Sequence, residues 1–436
     1  MKTVIRPETE MKDSGVEWIK YVPENWNCMP LKRYFQFGKG LPITKADLTE
    51  NGEKVISYGQ IHAKFNTGVS VDDRLIRFVS SEYKSTNPNS LCSKGDIILA
   101  DTSEDKEGCG NAVYIDCDEK IFAGYHTIIL KSTKDNKYLA YLFQSDSWRT
   151  QIQTRVNGVK LFSITQKILN QCTIILPPLS EQQAIADYLD ETCSKIDEII
   201  AEAKASIDEY KELKQAVIFE AVTKGLDKNV EMKQCSVNWL DEIPSTWKSI
   251  RLKYLLTEIN NRSETGTEQP LSVSQVMGVV PSYMISVVNP TSSYVGQKVV
   301  EPNDIVFNKL KAHLGVFFMS KYYGLVSPDY AVYRTNDKVI PKYLEYLFHT
   351  SACISEFKRY ITGVAEGLMR LYTSDLFNIR ICLPNVDEQI KIVEYVDNNV
   401  DLFDSLIAEK ESLIHDLEAY KKSLIYEVVT GKRKVV

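Results

Sequence analysis

The sequence predicts a mixed α/β (α+β) protein in which two globular domains are separated by two long antiparallel coiled-coil helices, arranged as an internal pseudo-two-fold repeat. Three observations lead there: blocks of sequence that occur twice in one order, a switch from strand-like to helical text after a Leu-Pro segment in each copy, and a heptad seam beyond each switch.

The repeat fixes the architecture. Gly15-Val16-Glu17-Trp18-Ile19, followed by Val22-Pro23-Glu24-Asn25-Trp26, returns as Ser236-Val237-Asn238-Trp239-Leu240, followed by Ile243-Pro244-Ser245-Thr246-Trp247. Both copies continue into Leu-Lys, at Leu31-Lys32 and Leu252-Lys253. Tyr138-Leu139-Ala140-Tyr141-Leu142-Phe143 returns as Tyr343-Leu344-Glu345-Tyr346-Leu347-Phe348. Pro177-Pro178-Leu179-Ser180-Glu181-Gln182 returns as Pro384-Asn385-Val386-Asp387-Glu388-Gln389, 207 positions on (384 − 177). Chance does not place three such matches in one order.

Before each Leu-Pro segment the text reads as short strands, such as Asp96-Ile97-Ile98-Leu99, Thr127-Ile128-Ile129-Leu130 and Asp304-Ile305-Val306-Phe307, divided by Gly, Asn, Ser and Asp turns. After it, Ser180 is expected to cap a helix, with Asp387 in the same role in the second copy and acidic side chains at the positive end of the helix dipole. Apolar residues then recur in steps of three and four: Ile185, Leu189, Cys193, Ile196, Ile200, Ala203, Ile207, Tyr210, Leu213 and Val217. The second seam reads Ile390, Val393, Val396, Val400, Phe403, Ile407, Ile414, Leu417, Tyr420, Leu424 and Val428, interrupted by Lys410. Helices of about 40 residues, roughly 60 Å long, need a partner, and each is the natural partner of the other. The boundaries read from this text are residues 1–179 and 226–384 for the globular domains, and 180–225 and 385–436 for the helices. Trp18, Trp26, Trp239 and Trp247 are expected to anchor each globular domain to the end of the helical spacer.

At 436 residues and 44% hydrophobic, the chain supports more than one buried core. Its apolar runs stop far short of the roughly 20 residues that cross a bilayer, and MKTVIRPETE has no apolar signal core, so a cytoplasmic protein without a membrane partner is expected. The nine cysteines are scattered, without metal-ligand spacing, and are expected to be reduced thiols. The net charge of −6 is unevenly placed: residues 180–224 carry 5 basic and 11 acidic side chains and residues 387–434 carry 7 and 11, whereas residues 1–179 carry 23 and 21 and residues 238–380 carry 15 and 13. Mildly basic globular regions therefore alternate with acidic helices, which is compatible with DNA on part of the surface.

With these residues in view, the chain resembles the specificity subunits of type I restriction-modification enzymes. The likeness rests on the Pro-x-x-Trp openings (Pro23 to Trp26, Pro244 to Trp247), the Leu-Pro-Pro-Leu-x-Glu-Gln run into the first helix and its variant Leu-Pro-Asn-Val-Asp-Glu-Gln before the second, and it covers nearly the whole chain. The resemblance implies that each globular domain is a target-recognition domain reading one half of a bipartite double-stranded DNA site, while the helices set the gap and dock two methyltransferase subunits. Those partners would bind S-adenosylmethionine and methylate adenine, motor-nuclease restriction subunits would join to cleave unmodified DNA, and no cofactor is expected on this chain.

No catalytic constellation of its own can be read from the sequence. The string nearest to a methyltransferase Asn/Asp-Pro-Pro-Tyr/Phe segment, Ser327-Pro328-Asp329-Tyr330, lacks the second proline and reads as a turn before a strand. Gly431-Lys432-Arg433 and Gly38-Lys39-Gly40 do not make a phosphate loop, and the five histidines are too dispersed for a triad or metal site.

Base reading needs paired donors and acceptors on loops that enter a groove. Comparing the two copies gives Gln60 and His62 in Tyr58-Gly59-Gln60-Ile61-His62 against Gln275 in Val273-Ser274-Gln275-Val276. It gives Thr102, Ser103 and Lys106 in the run Asp101 to Lys106 against Asn308, Lys309, Lys311 and His313 in the run Asn308 to His313. Lys160, after Gly158-Val159, and Arg370, beyond Gly363-Val364, are phosphate or base candidates, and Tyr125, His126 and Tyr330 open matching strands where packing explains them equally well. Two other classes stay open at this stage: a coiled-coil scaffold spacing two protein-binding domains, and an enzyme assembled from distant residues.

Overall fold

The computed structural model describes every residue except 1, 133, 135, 159, 286–292 and 364–368. Two compact units divide the chain. The first is Met1–Ala203 with Ser412–Val436, and the second is Lys204–Glu411. Each of the two long helices, Leu179–Lys224 and Val386–Val429, has its first part in one unit and its last part in the other.

The first unit is built on an antiparallel sheet in the order Ala112–Tyr114, Ile97–Ala100, Thr127–Lys131, Gln36–Lys39. The second unit repeats it as Phe317–Met319, Ile305–Asn308, Tyr330–Thr335, Leu256–Ile259. The runs read as strands in the sequence are the central strands of these sheets, buried on both faces as their unbroken apolar text requires. The first unit also holds a sheet ordered Arg77–Val79, Glu53–Ile56, Ile121–Ala123, Leu91–Cys92, whereas the second has the hairpin Leu271–Ser274 with Gly278–Pro281 and the pair Lys298–Val300 with Gly324–Val326. The Tyr-Leu-x-Tyr-Leu-Phe text forms the helices Lys137–Gln144 and Pro341–Phe348.

The duplicated motifs meet at the helix ends. Trp26 and Trp247 are fully buried, so each indole N–H needs an acceptor, and each donates at 3.0 Å to the glutamate in the first turn of a long helix, Glu181 and Glu388 respectively. The neighbouring glutamines are buried as well. Gln182 accepts from Asn136 Nδ2 and donates to the Pro177 carbonyl, both at 2.6 Å, and Gln389 accepts from the Ile340 N–H at 2.8 Å and donates to the Pro384 carbonyl at 3.1 Å. The first tyrosine of each aromatic motif reaches the end of the other helix: Tyr138 donates to the Val429 carbonyl and Tyr343 to the Val222 carbonyl, each at 2.8 Å. The second tyrosines, Tyr141 and Tyr346, donate to Asp190 and Asp397. Burial raises all four phenols above the ordinary tyrosine range.

Within each unit, therefore, one helix begins where the other ends, which makes the pairing antiparallel. In the first unit Ile185 and Leu189 share a core with Leu424 and Val428, and Lys421 meets Asp197 at 2.7 Å. In the second, Ile218 and Val222 share a core with Ile392 and Val396, and Lys214 meets Asp404 at 2.6 Å. Both ion pairs use residues 207 apart (404 − 197 and 421 − 214), so one contact is made twice.

Several expectations require correction. Ser180 and Asp387 are not caps, since both lie inside their helices; the Asn385 side chain accepts from the Glu388 N–H instead, and the Pro178 carbonyl accepts from the Glu181 and Gln182 N–H groups. The C-terminal helix stops at Val429 rather than filling 385–436. Gly431 ends it at φ +74°, where an added Cβ would fall 2.4 Å from Pro23, and Arg433–Val435 then pairs with Thr3–Ile5. Leu213, Ile390 and Tyr420 leave the predicted seam and are 44%, 42% and 50% exposed, while Ile218 and Ile392 turn inward. Of the four tryptophans expected at the helix ends, Trp18 and Trp239 are only half-buried, and the Trp239 indole donates to the Arg380 carbonyl at 3.2 Å instead.

Glu181 keeps a second partner, Arg6 Nη2 at 2.6 Å, and the position matching Arg6 in the second copy is Asp227 (6 + 221). Trp247→Phe should therefore lower the unfolding free energy by about 2–3 kcal/mol and Trp26→Phe by about 1 kcal/mol less, measured by denaturant unfolding of the full chain. Equal losses would mean that Arg6 does not relieve Glu181.

Candidate nucleic-acid interface

The candidates on the first unit gather at one edge of its sheet. Thr102–Ser103 pairs with Phe162–Ser163, which sets the loop of Glu104, Asp105, Lys106 and Glu107 beside the segment that carries Lys160. Lys106 and Lys160 are exposed. Thr102 and Ser103 are buried, with Thr102 Oγ1 donating to Asp101 at 2.7 Å, so neither presents its hydroxyl to a groove as a base-reading residue must.

His62 is likewise engaged within the protein. Arg149 donates to Asn111 Oδ1 at 2.5 Å, which fixes that amide so that its N–H₂ faces His62 Nδ1 at 3.0 Å. Nδ1 then accepts, the proton sits on Nε2, and Nε2 donates to the Thr102 carbonyl at 2.8 Å. Both ring nitrogens are spent inside the protein, and His62 braces the loop instead of reading a base. Gln60 folds back so that its Oε1 accepts from the Ser57 N–H at 3.2 Å, on the short helix Tyr58–Ile61.

Gln275 occupies a different setting from Gln60, to which the sequence pairs it. It is exposed at the turn of the hairpin Leu271–Ser274 and Gly278–Pro281, beside Val276, and Ser274 Oγ holds the turn by accepting from the Val276 and Met277 N–H groups at 3.2 Å. In the same unit Asn308 ends a central strand, and its Oδ1 accepts from the Leu310 N–H at 3.1 Å, capping the 3₁₀ segment Lys309–Leu314. Lys309 lies 3.6 Å from Glu258, Lys311 is exposed, and His313 Nδ1 is buried without a hydrogen-bond partner. The Lys309 carbonyl accepts from the Leu371 N–H at 3.1 Å, and Arg370 exchanges backbone bonds with Thr362, so the segment that carries the exposed Arg370 runs beside Lys309. Val159 and Val364, named beside Lys160 and Arg370 in the sequence, lie outside the described residues.

Equivalent loops therefore differ in chemistry. Residues 101–107 hold four carboxylates against one lysine, and residues 308–313 hold two lysines and no carboxylate. Carboxylates accept from exocyclic amines and clash with phosphate, whereas lysines donate to guanine O6 and N7 or to phosphate.

Sequence reasoning missed the recess behind the first loop, about 480 Å³, lined by Tyr58, His62, Asn111 and Arg149 among others. Arg149 comes from the helix Asp146–Gln153, and no local signal points to it. On another side of Tyr58, His126 adopts φ +54°, a strained conformation for a residue with a side chain. It is exposed, edge-on to Tyr58 with ring centroids 5.3 Å apart, and its Nδ1 lies 3.4 Å from Asp101. Among the described residues no group of three or more His, Cys, Asp or Glu side chains is placed to hold a metal ion, and no helix is long and apolar enough to cross a membrane.

The family model described as "Type I restriction modification DNA specificity domain" matches residues 23–209 and 244–415, one match for each copy of the repeat. The chain belongs to this family. Its relatives include the EcoKI specificity subunit of Escherichia coli K12, 22% identical over 94% of this chain and 90% of the relative, and the MjaVIII specificity subunit of Methanocaldococcus jannaschii, 24% identical over 95% and 94%. Similar solved folds include a chain from a structure of type I restriction-modification complex assembly and conformational transition (TM-score 0.69, 16% identical, covering 94% of this chain and 99% of the other). The HsdS subunit of Thermoanaerobacter tengcongensis is also similar (TM-score 0.56, 16% identical, covering 94% and 98%). The chain is thus a DNA specificity subunit of the type I restriction-modification kind.

Exposure separates these residues experimentally. In the assembled complex, Lys311→Ala should weaken DNA binding and lower the slope of log K against log salt by about 1, measured by fluorescence anisotropy. Thr102→Val should leave that slope unchanged and lower the melting temperature, because it removes a buried bond rather than a DNA contact.

Proposed function

We propose that this chain is the non-catalytic reader of a type I restriction-modification complex. Residues 1–179 read one half of a bipartite site and residues 226–384 read the other. The paired helices set the gap and dock two methyltransferase subunits, which bind S-adenosylmethionine and methylate adenine. Motor-nuclease subunits join that assembly in the cytoplasm and cleave unmodified DNA. The observation that carries this reading is the duplicated helix clamp bearing unlike loops: the same Trp–Glu and Tyr–carbonyl bonds recur in both units, while the edge at residues 101–107 is acidic and the edge at 308–313 is basic. A shared frame with unlike reading loops suits a site whose halves differ in sequence.

The acidic helices fit the division of labour. Strong negative charge on residues 180–224 and 387–434 disfavours phosphate there and leaves those surfaces to protein partners.

Adenine-methylation mapping in cells expressing the chain with its methyltransferase tests the proposal, repeated after residues 238–380 are exchanged for another recognition domain. A two-part motif in which only one half changes is expected. An unchanged motif or no motif would favour a protein-binding scaffold, and a change in both halves would overturn the assignment of one half-site to each domain.

A further inference from the structure

Cys235 and Cys382 lie 147 residues apart in sequence, yet their Sγ atoms are 3.1 Å apart, the distance of two thiols in contact. A disulfide at about 2.05 Å requires the sulfurs to approach by about 1 Å. Independent bonds hold both backbones in place. The Cys235 N–H donates to the Asp241 carbonyl at 2.9 Å, within the ribbon of Met232–Gln234 and Glu242–Pro244. Cys382 sits in the strand Arg380–Leu383, opposite Ser249, and the Trp239 indole ties the ribbon's loop to that strand through the Arg380 carbonyl.

The repeat supplies an internal control. The positions matching Cys235 and Cys382 in the first copy are Ser14 (235 − 221) and Ile175 (382 − 207), so the shared fold needs a cysteine at neither place. Two cysteines have nevertheless been brought together in the second copy. Their exposures differ usefully, because Cys235 is half-buried and reachable whereas Cys382 is buried. Burial and the adjacent Cys235 raise the Cys382 thiol, against the ammonium of Lys233, so Cys235 is the first to react.

We infer that Cys235 and Cys382 constitute a thiol–disulfide site that a small disulfide of the oxidised-glutathione class converts to an intramolecular cross-link. Cys235 loses its proton to solvent, and its thiolate attacks one glutathione sulfur, forming a mixed disulfide and expelling a glutathione thiolate. Cys382 then loses its proton and attacks Cys235 Sγ, expelling the second glutathione thiolate. Two protein thiols are oxidised by two electrons, and one external disulfide is reduced to two thiols. The cross-link stitches the ribbon to the strand that leads through Pro384 into the C-terminal helix, and closes a loop around nearly all of the second recognition domain.

The test uses the full reduced chain in glutathione buffers of graded ratio, quenched with acid, with thiols counted by maleimide labelling and linked peptides identified by mass. Free thiols should fall from nine to seven, with a Cys235–Cys382 peptide that dithiothreitol removes. C28S should still form that peptide. C382S should form none and carry at most a glutathione adduct on Cys235. The folded chain should close the bond at an oxidised-to-reduced ratio about tenfold or more below that needed in urea, because the fold presents the thiols to each other. The inference is overturned if nine thiols persist, if glutathione accumulates only on the exposed Cys28, or if the folded and urea-unfolded chains close the bond at the same ratio.

Discussion

A buried indole must place its N–H, and in this chain that requirement ties each recognition domain to the beginning of a long helix. Trp26 and Trp247 have no access to water, and the acceptor each finds is a glutamate in a helix first turn, where a carboxylate is also favoured by the unpaired N–H groups and the helix dipole. The next residue, Gln182 or Gln389, uses both ends of its amide to join the Leu-Pro carbonyl to the domain. The opposite helix end is held by a tyrosine hydroxyl on one of its last carbonyls, at Val429 or Val222, which would otherwise be orphaned. A unit that grips the start of one helix and the end of the other leaves only an antiparallel pair. The direction of the coiled coil is therefore set at its ends, by four hydrogen bonds, before any heptad contact is considered.

The repeat lets this chain serve as its own comparison. What both copies keep is the frame: the tryptophan and glutamate, the two tyrosines with Asp190 and Asp397, and the aspartate–lysine pair that joins the helices. What they do not keep falls into two kinds. Some differences change how the frame is held, as Arg6 does beside Glu181, where the matching position of the second copy is Asp227. Others change what the edge of the sheet offers. The Asp96 and Asp304 turns lead into equivalent strands, yet the loops that leave those strands carry opposite charge. Frame positions answer to packing and hydrogen-bond satisfaction, which both copies meet in the same way; exposed edge positions are under no such constraint from the fold and are free to diverge.

That division also explains what could be read in the sequence. The two units, the central strands and the helix starts were legible because burial imposes a pattern on text, and two copies of a pattern are hard to mistake. The Ser327 to Tyr330 string likewise forms the turn that the text suggests, with the Tyr330 N–H on the Ser327 carbonyl. The details of the seam were not. An idealised three-four step keeps Leu213, Ile390 and Tyr420 on the inner face, but near each helix end the partner surface is a globular domain, and the buried face rotates toward it at Ile218 and Ile392. Caps failed for a simpler reason. Ser180 and Asp387 have the right chemistry one or two residues too late, and the Leu-Pro segment had already begun the helix.

The DNA-facing candidates were least legible, and the cause is instructive. A polar residue on a loop has two competing uses, an internal bond or an external one, and sequence alone does not say which wins. His62 lost its place because Arg149, remote in sequence, fixes Asn111 and so commits both imidazole nitrogens. Gln60 and Gln275 follow similar text, but one sits on a helix that uses its side-chain oxygen and the other on an open hairpin turn. Net charge misleads in the same way. The overall −6 is carried by the helices, and at physiological ionic strength, where screening acts over about 8 Å, a phosphate beside Lys311 and Arg370 responds to those side chains more than to distant carboxylates. Acidity of the whole chain is thus compatible with DNA recognition because the interaction is decided over a shorter distance than the one over which the charge is spread.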